Sequence, residues 1–293
     1  MIVSSAQIKI HIDARKDIID SIATSDFLFN YIPQCEIHQN EASGDTHHQL
    51  VFQAGADFDF NHSESKTICT LPFTSDEHIK DAITLIDYVL EKERQKKGIY
   101  CFHGSSISIF GKAVLCVGAT SGLGKTSLAL YMSTTQQDSA LIGDEKILID
   151  QSFSIIGAVQ KITINKDSLG AFLKKLEETY QVSIKQDVKI ASSFPFPLGL
   201  IVQPLVLPES NYMEIDTFNE DKANFHVYEE LSRKIRGTSR RVINFTYPLP
   251  SIDTDDIAQK RSDFSRNLAT RYRFVNIKGN LDFLKTTLVE LLS

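Results

Sequence analysis

The residues of this chain best suited to chemistry are Gly118-Ala119-Thr120-Ser121-Gly122-Leu123-Gly124-Lys125-Thr126-Ser127. Two closely spaced glycines followed by a lysine and a hydroxyl residue fit a phosphate-binding loop, with Ala119 where the first glycine usually stands. Such a loop works through its backbone. The first turn of a helix leaves amide N–H groups without acceptors, and a tight turn aims them at one point on the positive end of the helix dipole, where a phosphate satisfies them. Lys125 then reaches the β- and γ-phosphates of a nucleotide, and the Thr126 hydroxyl holds Mg²⁺. The methyl group of Ala119 is tolerated if its φ stays negative. A chance Gly-Lys-Thr is the competing explanation, and the flanks argue against it. Ala113-Val114-Leu115-Cys116-Val117 is an unbroken apolar run, as in a strand buried on both faces, and Thr126 to Met132 is a helix-forming run without Gly or Pro.

A second group is acidic. Gly143-Asp144-Glu145 is bracketed by Ala140-Leu141-Ile142 and Ile147-Leu148-Ile149, so two carboxylates fall at the end of a buried strand, where α/β folds place their chemistry. With Thr126 they make a candidate metal-binding set, one acid turned to the metal and one accepting a substrate proton. Neighbours on a strand point to opposite faces, so Asp144 is expected to face the phosphates and Glu145 to diverge. A solvated Asp-Glu turn is the plain alternative. His103 precedes Gly104-Ser105-Ser106, and Gly104 permits close backbone approach; the imidazole either contacts phosphates or acceptor, or is structural. Arg233, Lys234, Arg236, Arg240 and Arg241 cluster around Gly237, fit to bind an acidic or phosphorylated substrate or to decorate a solvated helix end.

These residues need elements to position them. Residues 1 to about 73 read as short strands: Gln7 to Asp13 alternates with period two, and Leu50-Val51-Phe52 and Thr67 to Leu71 follow, with a polar loop from Asn40 to His48. Thr74 to Gly98 reads as a helix with a Thr74/Glu77 capping box, an apolar face through Ile79, Ala82, Ile83, Ile86, Val89 and Leu90, and Gly98 at C′. Lys92, Arg94, Lys96 and Lys97 at its end compensate the helix dipole. Ile99 to Phe102 leads into a hairpin, Ser106 to Phe110 turning at Gly111-Lys112, that feeds the glycine loop. Further on, Ser154 to Gly157 and Lys161 to Ile164 read as a hairpin, and Lys166 to Tyr180 as an amphipathic helix. Leu198 to Leu207 reads as a strand interrupted by Pro204, with Tyr212 to Ile215 pairing against it. The rest is mostly helical, with a last strand near Phe274 to Ile277 and a final helix, Leu281 to Leu292. The expected division is a β-rich segment with a linking helix over 1–98 and a catalytic domain over 99–293.

Bulk properties narrow the function. The 293 residues are 42% hydrophobic and 23% charged, ordinary for a globular protein, and the net charge of −6 argues against a nucleic-acid binder. No apolar run approaches a membrane span, and Met1 to Ser5 lacks the charged and apolar regions of an export signal. Cys35, Cys69, Cys101 and Cys116 are widely spaced, which reads as reduced structural thiols in a cytoplasmic protein, and no Cys/His spacing suits zinc.

Taken in order, His103-Gly104, the hairpin, Gly118 to Thr126 and Gly143-Asp144-Glu145 resemble the catalytic domain of HPr kinase/phosphorylase, in a superfamily that includes ATP-dependent phosphoenolpyruvate carboxykinase. Lys161 to Leu169 and Pro197 to Ile201 resemble two later stretches of the family. The match covers about residues 99 to 207. It implies an α/β protein: an HPr-kinase-like P-loop core of mixed β-sheet with flanking helices, behind a β-rich N-terminal segment. It further implies ATP and Mg²⁺ as cofactors and γ-phosphoryl transfer to a hydroxyl, typically serine, of a peptide, protein or small molecule. Asp144 would be the general base, His103 would lie near the γ-phosphate, Lys125 would bind it and Thr126 would ligate Mg²⁺. Members of the family often form homo-oligomers. The Gly-Leu-Gly-Ile segment of the phosphorylase signature is missing, so the likeness is to the family's relatives rather than to a true HPr kinase. The competing class is a P-loop nucleotide-binding regulatory or assembly protein with little or no transferase activity. A carboxykinase would need a further Arg/Lys/His set for a dicarboxylate, which the sequence does not present.

Overall fold

The alternation in Ile8-Lys9-Ile10-His11-Ile12-Asp13 buries the three isoleucines and leaves Asp13 exposed, the outcome of a strand with one covered face. The computed structural model describes residues 1–38, 46–118, 122–160, 174, 177–178, 187–208, 211–237, 240–243 and 246–293. Among these are two mixed sheets of six and nine strands, a two-stranded ribbon and seven helices, an α/β protein with no barrel. The chain forms two compact units, Met1–Cys101 with Tyr228–Phe264, and Phe102–Val227 with Ser265–Ser293. The sequence division drew a single line at 98/99; the compact units are discontinuous. Ile235, Val242, Leu249, Ile252 and Ile257 share one core with Ile10, Leu50 and Tyr88 of the first unit.

In the first unit the sheet order is β3-β1-β2-β4-β6-β5, with β1 Ile2–Ser5, β2 Ile8–Asp13, β3 Glu36–His38, β4 His48–Ala54, β5 Asp59–His62 and β6 Lys66–Leu71. β2, β4 and β6 run parallel, flanked by antiparallel strands at both margins. Two short helices, α1 Lys16–Ala23 and α2 Asp26–Tyr31, stand where only strands were expected; α1 commits just Ile18 and Ile22 to the core. Helix α3, Asp76–Lys96, packs on α1, α2, β2 and β4. Its start departs from the expected capping box. Ser75 is the N-cap without a side-chain cap bond, Thr74 N–H donates to His78 Nδ1 (3.2 Å), and Glu77 instead takes Lys80 as an ion partner (2.6 Å). Its end matches: Gly98 has φ +75, its N–H reaches Gln95 O (3.0 Å), and Ile99 N–H reaches Arg94 O (2.9 Å).

The basic end of α3, expected to compensate the helix dipole, does carry Arg94 and Lys96 in its last turn, and it is also buried. Leu85 through Gln95 is buried without exception. Arg94 Nη2 lies 2.8 Å from Asp87 Oδ1 and 2.9 Å from Glu91 Oε2, and Nη1 donates to Ser5 Oγ at 2.9 Å. Burial alone would favour losing the guanidinium proton, but Glu91 and Asp87 hold it above its ordinary range. The later basic cluster is divided. Arg240 is buried and pairs with the other oxygen of Asp87 (2.9 Å), Lys234 and the more exposed Arg233 pair with Glu230, the part-exposed Arg236 with Asp253 (3.5 Å), and Arg241 is exposed. This unit also holds the ribbon of β15, Arg241–Val242, with β16, Tyr247–Pro248.

A pH dependence follows from two histidines. His48 Nε2 and His62 Nδ1 both meet Thr67 Oγ1, at 2.8 and 2.7 Å, with their rings stacked 5.3 Å apart. Burial holds them neutral, lowering His48 to about 4 and His62 to about 3 from the ordinary 6.5. On acidification the unfolded chain takes up these protons first, so this stabilisation is complete above pH 6.5 and is lost as the pH falls toward the folded values. The slope is at most about 1.4 kcal/mol per pH unit per ring, and smaller for the part-exposed, solvent-screened His62. Urea unfolding across this window should show the midpoint falling, with a shallower fall in His48→Gln.

The second unit holds the nine-stranded sheet. Its order is β10-β8-β9-β13-β12-β11-β7, with β17 beside β13 and β14 beside β17. The strands are β7 Tyr100–Phe102, β8 Gly104–Ile109, β9 Lys112–Val117, β10 Ser139–Gly143, β11 Ile147–Ile149, β12 Ser154–Ala158, β13 Phe196–Val206, β14 Glu214–Thr217 and β17 Phe274–Gly279. The helices are α4 Lys125–Thr135, α5 Glu220–Arg233, α6 Asp255–Arg271 and α7 Leu281–Leu292; α5 and α6 each carry residues of both units. β8 and β9 form the expected hairpin, closed by Phe110-Gly111 at φ +52 and +75, the paired left-handed residues of a type I′ turn.

β9, β13 and β17 run parallel, with α4 and α7 packed by Leu128, Met132, Leu284 and Leu288. Pro204 does not interrupt β13. Ile201 N–H points toward the β17 side, to Arg273 O, so by alternation position 204 faces the β9 side, where the ladder has already ended at Val202↔Cys116. Nothing there requires the missing N–H. Tyr212 to Ile215 was expected against this strand, but β14 pairs with β17, since β9 and β17 already flank β13. β12 pairs with β11 and β13; its expected partner, Lys161 to Ile164, lies outside the described residues, as does the helix expected over 166–180 apart from residues 174, 177 and 178.

No helix among the described residues is long and apolar enough to cross a membrane. All four cysteines are free thiols, and burial pushes Cys101 up to about 11 and Cys116 to about 12, which keeps them protonated.

Candidate functional site

The glycine loop lies where β9 ends and α4 begins. Gly118 has φ +150, and a Cβ there would fall 2.4 Å from Leu123 Cδ1. Gly124 caps α4 in the left-handed region at φ +87, and a Cβ would sit 2.3 Å from Val206 Cγ2, at the tip of β13. Only glycine satisfies both the torsion and the contact. Val206 N–H donates to Leu123 O (3.0 Å), tying the loop to the central strand. Gly122 is also left-handed, at φ +84. Ala119, Thr120 and Ser121 lie outside the described residues, and with them the test of Ala119's φ. Lys125 is buried in the first turn of α4, its Nζ donating back to Gly118 O at 3.2 Å, and Ser127 is buried two residues on.

The acidic pair divides as strand alternation required. Asp144 is 3% exposed and faces the first turn of α4, where Thr126 Oγ1 lies 3.0 Å from each carboxylate oxygen. Ser105 Oγ, on β8, donates to Asp144 Oδ1 and lies 3.5 Å from Thr126 Oγ1. The backbone here is fixed. Asp144 N–H donates to Val159 O (2.8 Å), and Gly143 is so closely packed that a Cβ would fall 2.3 Å from Ala158 Cβ. Glu145 leaves in the left-handed region at φ +68 and is exposed. Its carbonyl oxygen is 3.0 Å and its carboxylate 3.4 Å from His103 Nδ1. Gly104 N–H also reaches Glu145 O (3.3 Å), and a Cβ on Gly104 would fall 2.2 Å from Cys116 O, the close approach expected of it.

The predicted residues thus fall into two sets, Asp144 with Thr126 beside Lys125, and Glu145 with His103. Ser105 escaped the sequence reading; the hairpin register that sets it opposite Cys116, beside the outlet of the loop strand, is the signal that would have found it.

The Asp144 carboxylate is electrostatically perturbed. Burial raises its pKa above the ordinary carboxylate value, the Ser105 hydrogen bond opposes this, and the charge of Glu145 adds to the rise. The donor set also suits Mg²⁺. The Thr126 and Ser105 hydroxyls and the Asp144 carboxylate are hard oxygens, all within hydrogen-bond reach of one another. Mg²⁺ is characteristically held by one or two carboxylates together with substrate phosphates rather than by an all-protein cage. No group of three or more His, Cys, Asp and Glu placed to hold a metal occurs among the described residues. In comparisons with known proteins, no family model and no curated sequence matches this chain.

Proposed function

We propose that this chain is an ATP- and Mg²⁺-dependent phosphotransferase with an HPr-kinase-like core, passing the γ-phosphoryl to a hydroxyl, most naturally serine, of a peptide, protein or small molecule. The observation that carries the reading is the buried Asp144 carboxylate at the tip of β10, held by the Thr126 hydroxyl of the glycine-loop helix. A phosphoryl transfer asks for cradled phosphates, neutralised charge and an acid near the attacking oxygen. Lys125 and the unpaired amides at the start of α4 would hold the β- and γ-phosphates. Thr126 would hold Mg²⁺ together with the phosphates, and the ion would supply charge neutralisation when bound. Asp144 would take the proton of the acceptor hydroxyl. His103 and Glu145 brace each other at the exposed rim, next to the γ-phosphoryl.

ATP labelled in its γ-phosphoryl and incubated with the protein and a cell extract tests this. Transfer of label to an acceptor is expected, falling at least about 100-fold in Lys125→Ala as the charge on the transferring group is left unmatched. Nucleotide retained by the protein with no labelled acceptor would replace the kinase with the nucleotide-binding regulatory or assembly protein.

A further inference from the structure

In the first unit, a cleft of about 700 Å³ is lined by the β5–β6 turn, the last turns of α3 and the start of α6. Lys92 lines it, yet is only 3% exposed. Its Nζ lies 2.5 Å from His62 Nε2, and among the described residues it has no carboxylate as an ion partner. For the ammonium to donate, Nε2 must carry the lone pair. The neighbouring hydrogen bonds then run one way: His62 Nδ1–H to Thr67 Oγ1 (2.7 Å), the Thr67 hydroxyl to His48 Nε2 (2.8 Å), and His48 Nδ1–H to Glu64 O (3.2 Å). Both imidazoles are neutral in this chain and supply no counter-charge.

Two of the cleft's carboxylates are already engaged, Glu93 by Lys96 (2.8 Å) and Asp253 by Arg261 (2.6 Å). Lys97 and Lys260 stand exposed at the rim. The first turn of α6 adds the positive end of a helix dipole. Burial lowers the Lys92 pKa, Glu93, Glu64 and Asp253 oppose this without pairing with it directly, and a bound anion would hold the ammonium charged.

We propose that this cleft binds a small oxyanion, a phosphate- or carboxylate-bearing molecule, with Lys92 as its buried counter-ion and Lys97 and Lys260 closing over its outer side. The volume is that of a small-molecule site. Glu64 and Asp256, the two remaining carboxylates of the lining, disfavour a long polyanion and select a ligand whose hydroxyl groups they can accept from. This site is independent of the phosphotransfer reading.

The test is lysine acetylation of the full chain followed by mass spectrometry, with inorganic phosphate or citrate added at ionic strength held constant with potassium chloride. One or both anions should slow labelling of Lys97 and Lys260 severalfold and leave Lys16 unchanged; which anion does so tells phosphoryl from carboxyl. Protection should persist in Lys125→Ala and vanish in Lys92→Met, which keeps the apolar stem and removes the charge. Equal labelling with and without both anions in the wild-type chain overturns the proposal, as does protection that survives Lys92→Met or is lost in Lys125→Ala.

Discussion

Asp144→Asn should leave ATP bound and lower phosphoryl transfer by about 10²- to 10⁴-fold, the range for removing a positioned general base. The amide has nearly the shape of the carboxylate, so packing at the tip of β10 is preserved. Its chemistry is not. Ser105 and Thr126 both reach Asp144 Oδ1, which an amide oxygen can replace, but Thr126 also lies 3.0 Å from Oδ2, where the amide places an NH₂ in place of an acceptor. The side chain also loses its capacity to take a proton. Equilibrium binding of ATP beside single-turnover transfer separates these effects. Full activity in Asp144→Asn would mean that another group accepts the proton.

Arg94→Ala should destabilise the first unit by about 3–5 kcal/mol, because removing one member of a buried ion network strands the others. Asp87 keeps Arg240 at 2.9 Å, but Glu91 keeps neutral donors alone, Gln95 Nε2 at 2.9 Å and Cys101 N–H at 3.4 Å. Glu91 then sits fully buried with its charge uncompensated. Combining Arg94→Met with Glu91→Gln removes both charges and should recover much of the loss. Urea unfolding monitored by circular dichroism measures each variant. A loss below about 1 kcal/mol for Arg94→Ala would show that the network behaves as an exposed pair does.

Legibility in the sequence followed how local each determinant is. The loop, the strand before it and the helix after it were readable, because each is written in consecutive residues whose types allow little else. The divergence of Asp144 and Glu145 was readable from alternation, although the left-handed φ of Glu145 sharpens it beyond what alternation gives. Helices α1 and α2 were missed because eight and six residues carry too few apolar positions to show a period. The burial of the charged end of α3 was not legible for a different reason: the partners that let Asp87 and Arg94 be buried include Ser5 and Arg240, which adjacent sequence does not reveal. Ser105 belongs to the same kind, since its role arises only when β8 and the end of β10 are brought side by side.

The discontinuity of the first unit bears on how the protein is made. Tyr88 donates to the carbonyls of Ile235 and Pro250, at 2.7 and 2.8 Å, and the apolar side chains of that later stretch complete the layer around α3. A ribosome delivers α3 long before it delivers those partners. At about 5–20 residues per second the nascent chain waits on the order of ten seconds with Asp87 and the apolar flank of α3 incompletely covered. Vectorial synthesis therefore leaves the first-made portion to be finished late, and holdase chaperones would find their target in the nascent α3.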